Sequence, residues 1–302
     1  MVRLILLFCL MLIACDEQPK KNNQMSNKIQ QEIPEPHIMY GLAFNAYLPF
    51  EVYLDDFPIK KWYRNSLNTF IDINPYLLEK GKHTIKIVLL PIKGRQLISP
   101  KDMELNKLKL ARFEKQYEPG LGRAKNYKDI ATYTFPTLTE SVPRLELEWK
   151  IDISDISFEL EGWKNSENLK SLDPEQLKEE VVAYYERLRE DLNKGNVDSY
   201  MALLEDFYHE TDVAEYLSMS ESELQKKEIR VELLQETKGK MQDLENYRLA
   251  IYGNGKLVTL ERIDEKNKGE PVLRATEENG TETFYYVYLH KPNGKEGLKI
   301  IR

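Results

Sequence analysis

Four histidines, at positions 37, 83, 209 and 290, are the side chains whose ordinary pKa lies nearest neutrality, so their spacing decides what proton chemistry they can share. None stands at a metal-ligating spacing such as His-Glu-x-x-His. The stretch FYHETD gathers His209, Glu210 and Asp212 at a presumed helix end, a set that could exchange protons if it faced a pocket. Charge on a solvated helix surface is the simpler account of the same residues. Gly120-Leu121-Gly122-Arg123 has the glycines of a phosphate-binding loop, but the strand–helix frame is missing and a solvated loop fits better. Neither a Gly-x-Ser-x-Gly elbow nor a Walker loop occurs. No catalytic residue, metal ligand or cofactor is therefore expected.

The stretch FYYVYLH raises a different chemistry. Strand alternation would put Phe284, Tyr286, Tyr288 and His290 on one face and Tyr285, Val287 and Leu289 on the other. If the first face lines a cavity, Tyr286, Tyr288 and His290 form a ligand pocket with aromatic walls and polar tips. The bland alternative is a core whose hydroxyls reach its rim.

The two cysteines, Cys9 and Cys15, lie at the start of the chain. The run from Leu4 to Ala14 is apolar, and as a helix it covers roughly 16 Å, about half of a ~30 Å hydrocarbon core. A short positive start, an apolar segment and a small residue before a cut site make the pattern of a signal peptide. Leu12-Ile13-Ala14-Cys15 resembles the bacterial lipobox. That resemblance implies cleavage before Cys15, lipidation of Cys15, and a bacterial cell-envelope location anchored in the lipid bilayer. Asp16 is similar to the aspartate that retains lipoproteins in the inner membrane of enteric bacteria; other bacteria do not follow that rule, so inner and outer leaflets both stay open. With Cys9 removed and Cys15 acylated, disulfides and thiolate chemistry are excluded. Residues 16–36 carry almost no apolar content and read as a flexible tether spanning roughly 25 Å.

Net charge is -7, from 43 basic and 50 acidic residues, which argues against nucleic acid and against a polybasic membrane surface. Alternation dominates the part of the chain from His37 to Trp163. Phe50, Val52 and Leu54 share a face, as do Ile85, Ile87 and Leu89, and as do Leu145, Leu147, Trp149, Ile151 and Ile153. Phe70 precedes Ile71 and Ile73. Residues 99–128 admit either a helix starting at Ser99-Pro100 or a strand from Lys107 to Phe113. Asp55-Asp56 and Gly81-Lys82-His83 stand where jelly-roll and immunoglobulin-like modules of secreted bacterial proteins carry their turns, and the chain resembles those modules over about forty residues. The resemblance implies a sandwich and no ligand. For carbohydrate binding, Trp62 and Tyr63 are the exposed aromatic candidates.

From Asp173 the pattern turns helical. Asp173-Pro174-Glu175-Gln176 is a start signal, and Leu177, Val181, Tyr184, Leu188 and Leu192 form a stripe that Lys194-Gly195 ends. A second helix begins near Asn196 with Met201, Leu204 and Phe207; a third opens at Ser220, boxed by Glu223, with Leu224, Val231 and Leu234. After Lys240 the period becomes two, and Asn254-Gly255 between alternating runs predicts a hairpin with a type I′ turn. This order, headed by YYERLREDLNKGNVDSYMALL, resembles the NTF2-like (nuclear transport factor 2-like) cone fold over 174–302, which implies a pocket between helices and curved sheet.

The expected architecture is multi-domain: an all-β sandwich, then an α+β domain of three helices and about five antiparallel strands. The divisions are 1–14 signal peptide, 15–37 lipidated cysteine and tether, 38–161 sandwich, 162–172 linker and 173–302 α+β domain. The expected function is a non-catalytic binding, scaffold or protective (immunity-like) lipoprotein whose partner is another envelope or secreted protein. The alternative is a small-ligand binder or enzyme using the C-terminal pocket.

Overall fold

The computed structural model describes residues 36–115 and 124–302; Cys15, most of the tether and Gly120–Arg123 lie outside them. Eight strands come first: β1 (Ile38–Ala46), β2 (Phe50–Leu54), β3 (Phe57–Trp62), β4 (Leu67–Asp72), β5 (Gly81–Leu89), β6 (Lys107–Glu114), β7 (Lys125–Tyr133) and β8 (Leu145–Ile153). They form two antiparallel four-stranded sheets, ordered β4-β1-β6-β7 and β3-β2-β5-β8. The alternating apolar residues drive the pairing of the two faces. Leu42 and Phe44 from one sheet meet Phe50, Val52, Ile85 and Ile87 from the other, all fully buried. The Phe44 and Phe50 rings lie 4.6 Å apart. Each such side chain contributes roughly 1.5–3 kcal/mol of burial.

Turn chemistry follows the local sequence. Asp55 and Asp56 both take positive φ in the β2–β3 turn. Asp55 Oδ1 accepts from the Thr84 amide at 2.8 Å, and Oδ2 lies 2.6 Å from His83 Nδ1, so the side chain ties the turn to β5. The ambiguous stretch after residue 98 contains both alternatives in succession. Ser99 and Asp102 form a capping box around α1 (Pro100–Met103), and β6 begins at Lys107.

The helices are α2 (Pro174–Lys194), α3 (Val197–Leu203), α4 (Glu205–Ala214) and α5 (Met219–Thr237). Asp173 caps α2 by accepting from the amides of Glu175 and Gln176. Gly195 ends it at φ 79, a left-handed conformation that a Cβ disfavours. Three corrections to the sequence reading are physical. The second helix divides at Leu204, giving four helices after the sandwich. Tyr185, not Tyr184, occupies the α2 core stripe, because its hydroxyl has buried acceptors in the sheet behind it. The last helix starts two residues early, boxed by Ser218 and Glu221, and its face is rotated. Leu233 and Thr237 point inward, while Leu224, Val231 and Leu234 are exposed.

Six further strands follow: β9 (Tyr247–Tyr252), β10 (Leu257–Arg262), β11 (Arg274–Thr276), β12 (Glu282–Phe284), β13 (Leu289–His290) and β14 (Lys299–Ile300). The β9–β10 hairpin exists, but its loop is a 3-10 turn over Gly253–Gly255 rather than a two-residue turn. The reason is tertiary. The Gly253 amide donates to Asp56 O and the Asn254 amide to Asp56 Oδ2, docking the loop on the β2–β3 turn.

The sheet β14-β13-β10-β9 is therefore a shared wall. One face packs on the helices through Val258, Leu260, Leu289 and Ile300. The other joins the sandwich core through Tyr252, Leu257, Tyr288 and Ile301. Every residue of β10 is buried, unusual for an antiparallel strand with a solvated side and natural for one covered on both. The polar stretch 162–172 does more than connect, since Trp163, Ser166 and Leu169 are buried at this junction.

Candidate functional site

The alternation proposed from FYYVYLH holds, with Tyr285, Val287 and Leu289 all entering the core beneath the helices, but the opposite face is not an open pocket. β12 stops at Phe284 and pairs with β11; β13 resumes at Leu289 and pairs with β10 and β14. Between them the backbone changes partners, Tyr285 N donating to Leu273 O and Tyr288 N to Arg302 O. Tyr288 goes into the junction core, 4.6 Å from Phe57 ring to ring. His290 is buried with Nδ1 2.8 Å from Ser166 Oγ, and its Nε2 has no partner among the described residues. Burial, reinforced by Lys299, Arg302 and Lys295 and opposed by Asp206, pushes His290 down to about 4, so it is neutral at pH 7. Tyr286 is half exposed, its hydroxyl donating to Glu270 at 2.7 Å. Tyr288 and His290 are thus interior, and Tyr286 alone of the three stays half exposed.

His209, Glu210 and Asp212 also separate. His209 is exposed, Asp212 accepts from Ser222 and pairs with Lys226, and Glu210 is buried against Arg302 at 2.6 Å. Among the described residues no group of three or more His, Asp or Glu is placed to hold a metal ion, and no helix is long and apolar enough to cross a membrane.

A cavity of about 210 Å³ does open on the helix side of the sheet, between α3, α4, α5 and residues 284–286. Six aromatic residues line it: Tyr200, Phe207, Tyr208, Phe284, Tyr285 and Tyr286. Glu232 and Glu236 enter from α5, four residues apart and so on one helical face. Burial and the neighbouring Glu232 raise the Glu236 carboxyl, while the Tyr285 hydroxyl, 3.5 Å from its Oε2, opposes them. Burial pushes Tyr208 up to about 12, with Asp212 adding to it. Arg302 reaches the cavity wall from the end of the chain. Its Nη1 donates to Glu210 and Nε to Pro75 O at 2.9 Å, and Nη2 has no partner among the described residues.

A second feature lies on the outer face of the sheet β4-β1-β6-β7. Phe70, Phe113 and Tyr127 form a triangle with ring centroids 5.8, 6.2 and 6.3 Å apart. Gly41 in β1 is its floor, since a Cβ there would lie 2.3 Å from the Phe70 ring. Beside the triangle runs β7, an edge strand whose far side pairs with no strand among the described residues. Tyr127 and Ile130 expose 47% and 44% of their surface, large apolar side chains on an edge that charge alone does not blunt.

No family model, curated protein or solved structure matches the chain.

The aromatic triangle escaped the sequence reading, although one signal was present. Phe70 is out of phase with Ile71 and Ile73, so a strand that buries the isoleucines must present Phe70 outward. Trp62 and Tyr63, the carbohydrate candidates, are only partly exposed, and the Tyr63 hydroxyl is held by Glu51 at 2.7 Å.

Proposed function

We propose that the chain is a lipid-anchored bacterial envelope protein that works by binding another protein, and that it takes an extended acidic segment of that partner along β7. The observation that carries the reading is the edge itself. A nine-residue strand whose outer side pairs with no strand among the described residues suits strand addition, and the adjoining rings suit alternate side chains of an added strand. Charge selects the segment. Lys107, Lys125 and Lys128 on β6 and β7 are exposed and make no ion pair among the described residues, in a protein whose net charge is -7. The same lysines repel a second copy of the edge and so disfavour self-pairing. Anchoring at Cys15 through the tether would hold this edge near the membrane surface, where an envelope or secreted partner passes.

The test is a photo-crosslinking residue at position 127 of the full chain in the producing cells. The expected result is one dominant adduct whose cross-linked partner peptide is acidic and extended. Lys125→Glu with Lys128→Glu should cut its yield at least tenfold, and Gly41→Ala, which displaces Phe70, should reduce it without unfolding the chain. The same adduct from a crosslinker at the exposed Lys178, remote on α2, would overturn the reading. In parallel, Cys15→Ser should abolish radiolabelled palmitate incorporation and release the chain from the membrane fraction. Undiminished labelling would refute the anchor alone, leaving the β7 test standing.

A further inference from the structure

We infer that the cavity between α3, α4, α5 and residues 284–286 is a binding site for a small organic cation that also carries a hydrogen-bond acceptor. The sign of the ligand comes from the carboxylates. Glu232 and Glu236 make no ion pair among the described residues, and Lys240, the nearest opposing charge on Glu236, is engaged with Glu277 at 3.0 Å. Arg302 does not cancel them, because Glu210 already holds its guanidinium. The cavity wall thus has two uncompensated acidic groups among aromatic residues.

Aromatic faces attract cations through their quadrupole, and the effect grows where water is excluded. This protein already uses one of these rings in that way. Lys226 Nζ sits 5.5 Å from the Tyr208 centroid while Asp212 holds it at 3.1 Å, and Lys226 is not part of the cavity wall. An inorganic ion fits poorly, since calcium seeks six to eight oxygens and the wall is mainly aromatic and aliphatic. The acceptor follows from an unused donor. Arg302, which lines the cavity, has its Nη2 buried without a partner among the described residues, and the 4% exposed Tyr200 lines the same cavity. A volume of about 210 Å³ lies below the ~300 Å³ at which drug-sized pockets begin, so the ligand is a small amine or quaternary ammonium compound.

The test is calorimetric titration of the full chain with choline and with 3,3-dimethylbutan-1-ol, its uncharged isostere. Choline should bind saturably, and the alcohol at least about tenfold more weakly. Glu236→Gln and Tyr208→Leu should each weaken choline binding about tenfold, with circular dichroism unchanged. The isostere comparison needs no variant, so it decides the matter even if a substitution unfolds the chain. Trimethylammonium groups also occur on lipid headgroups. Phosphatidylcholine vesicles that compete with choline would assign the site to a headgroup, and vesicles that do not compete would assign it to a free amine. Equal binding of choline and the alcohol, or no saturable binding of choline at all, would overturn the inference.

Discussion

Removing the carboxylate of Glu261 should destabilise both halves of the molecule at once. Glu261 is 3% exposed and faces the sandwich from β10. It pairs with Lys61 of β3, accepts from the Tyr252 hydroxyl at 2.8 Å and pairs with the exposed Arg248 at 3.2 Å. Lys61 is 9% exposed, and burial lowers its pKa while Glu261 opposes the shift. Glu261→Gln keeps the shape but removes the ion-pair partner of a buried ammonium, leaving Glu51 as its neighbouring carboxylate, a loss of about 3–5 kcal/mol. Lys61→Met leaves Glu261 with Tyr252 and Arg248, so the loss is smaller, about 1–3 kcal/mol. The double variant should be more stable than the sum of the two losses implies, by at least about 1.5 kcal/mol. Urea unfolding followed by tyrosine fluorescence and far-ultraviolet circular dichroism measures all three. A single coincident transition that moves with each variant is expected, because the sandwich and the last sheet share one core. Two separate transitions, with only the later one moved by Glu261→Gln, would refute the shared wall; equal losses from the two single variants would refute the charge argument.

Two further expectations follow from buried polar groups. His290 has a folded pKa of about 4 against an ordinary 6.5, so the unfolded chain binds the extra proton first as pH falls. Stability is unaffected above that window and declines through it, by about 2 kcal/mol between pH 7 and pH 5; His290→Gln should flatten this part of the pH–stability curve, and an unchanged slope would contradict it. Tyr185→Phe should cost about 1–3 kcal/mol in the same urea assay, because the hydroxyl donates to Val287 O at 2.6 Å, lies 2.9 Å from Thr259 Oγ1 and accepts from Leu260 N at 3.3 Å.

Much of the fold is legible because its signals are local. Leu145 to Ile153 alternates perfectly and becomes β8; Asp173-Pro174 starts α2 and Gly195 stops it, each through backbone geometry that only a few neighbours determine. The candidate sites are less legible. FYYVYLH carries aromatic or aliphatic residues on both faces, so its pattern does not say which face is covered, and no residue within it announces the change of partner strand between Tyr285 and Tyr288. Leu224, Val231 and Leu234 have helical spacing, but which face of α5 turns inward depends on Leu233 and Thr237 meeting α2, a contact of long sequence separation.

Composition, periodicity and caps, acting over a few residues, were enough to determine a β sandwich followed by helices and an antiparallel sheet, whereas Cys15 stands as the anchoring candidate only through the resemblance of Leu12-Ile13-Ala14-Cys15 to the lipobox. Only the tertiary structure decided that the last sheet is covered on both faces, that Tyr288 and His290 are interior, and that a cavity opens on the helix side instead. The reason is that a strand's own pattern records which residues are apolar, whereas the layer that covers each face is supplied by distant parts of the chain, two hundred residues away in the case of Lys61 and Glu261.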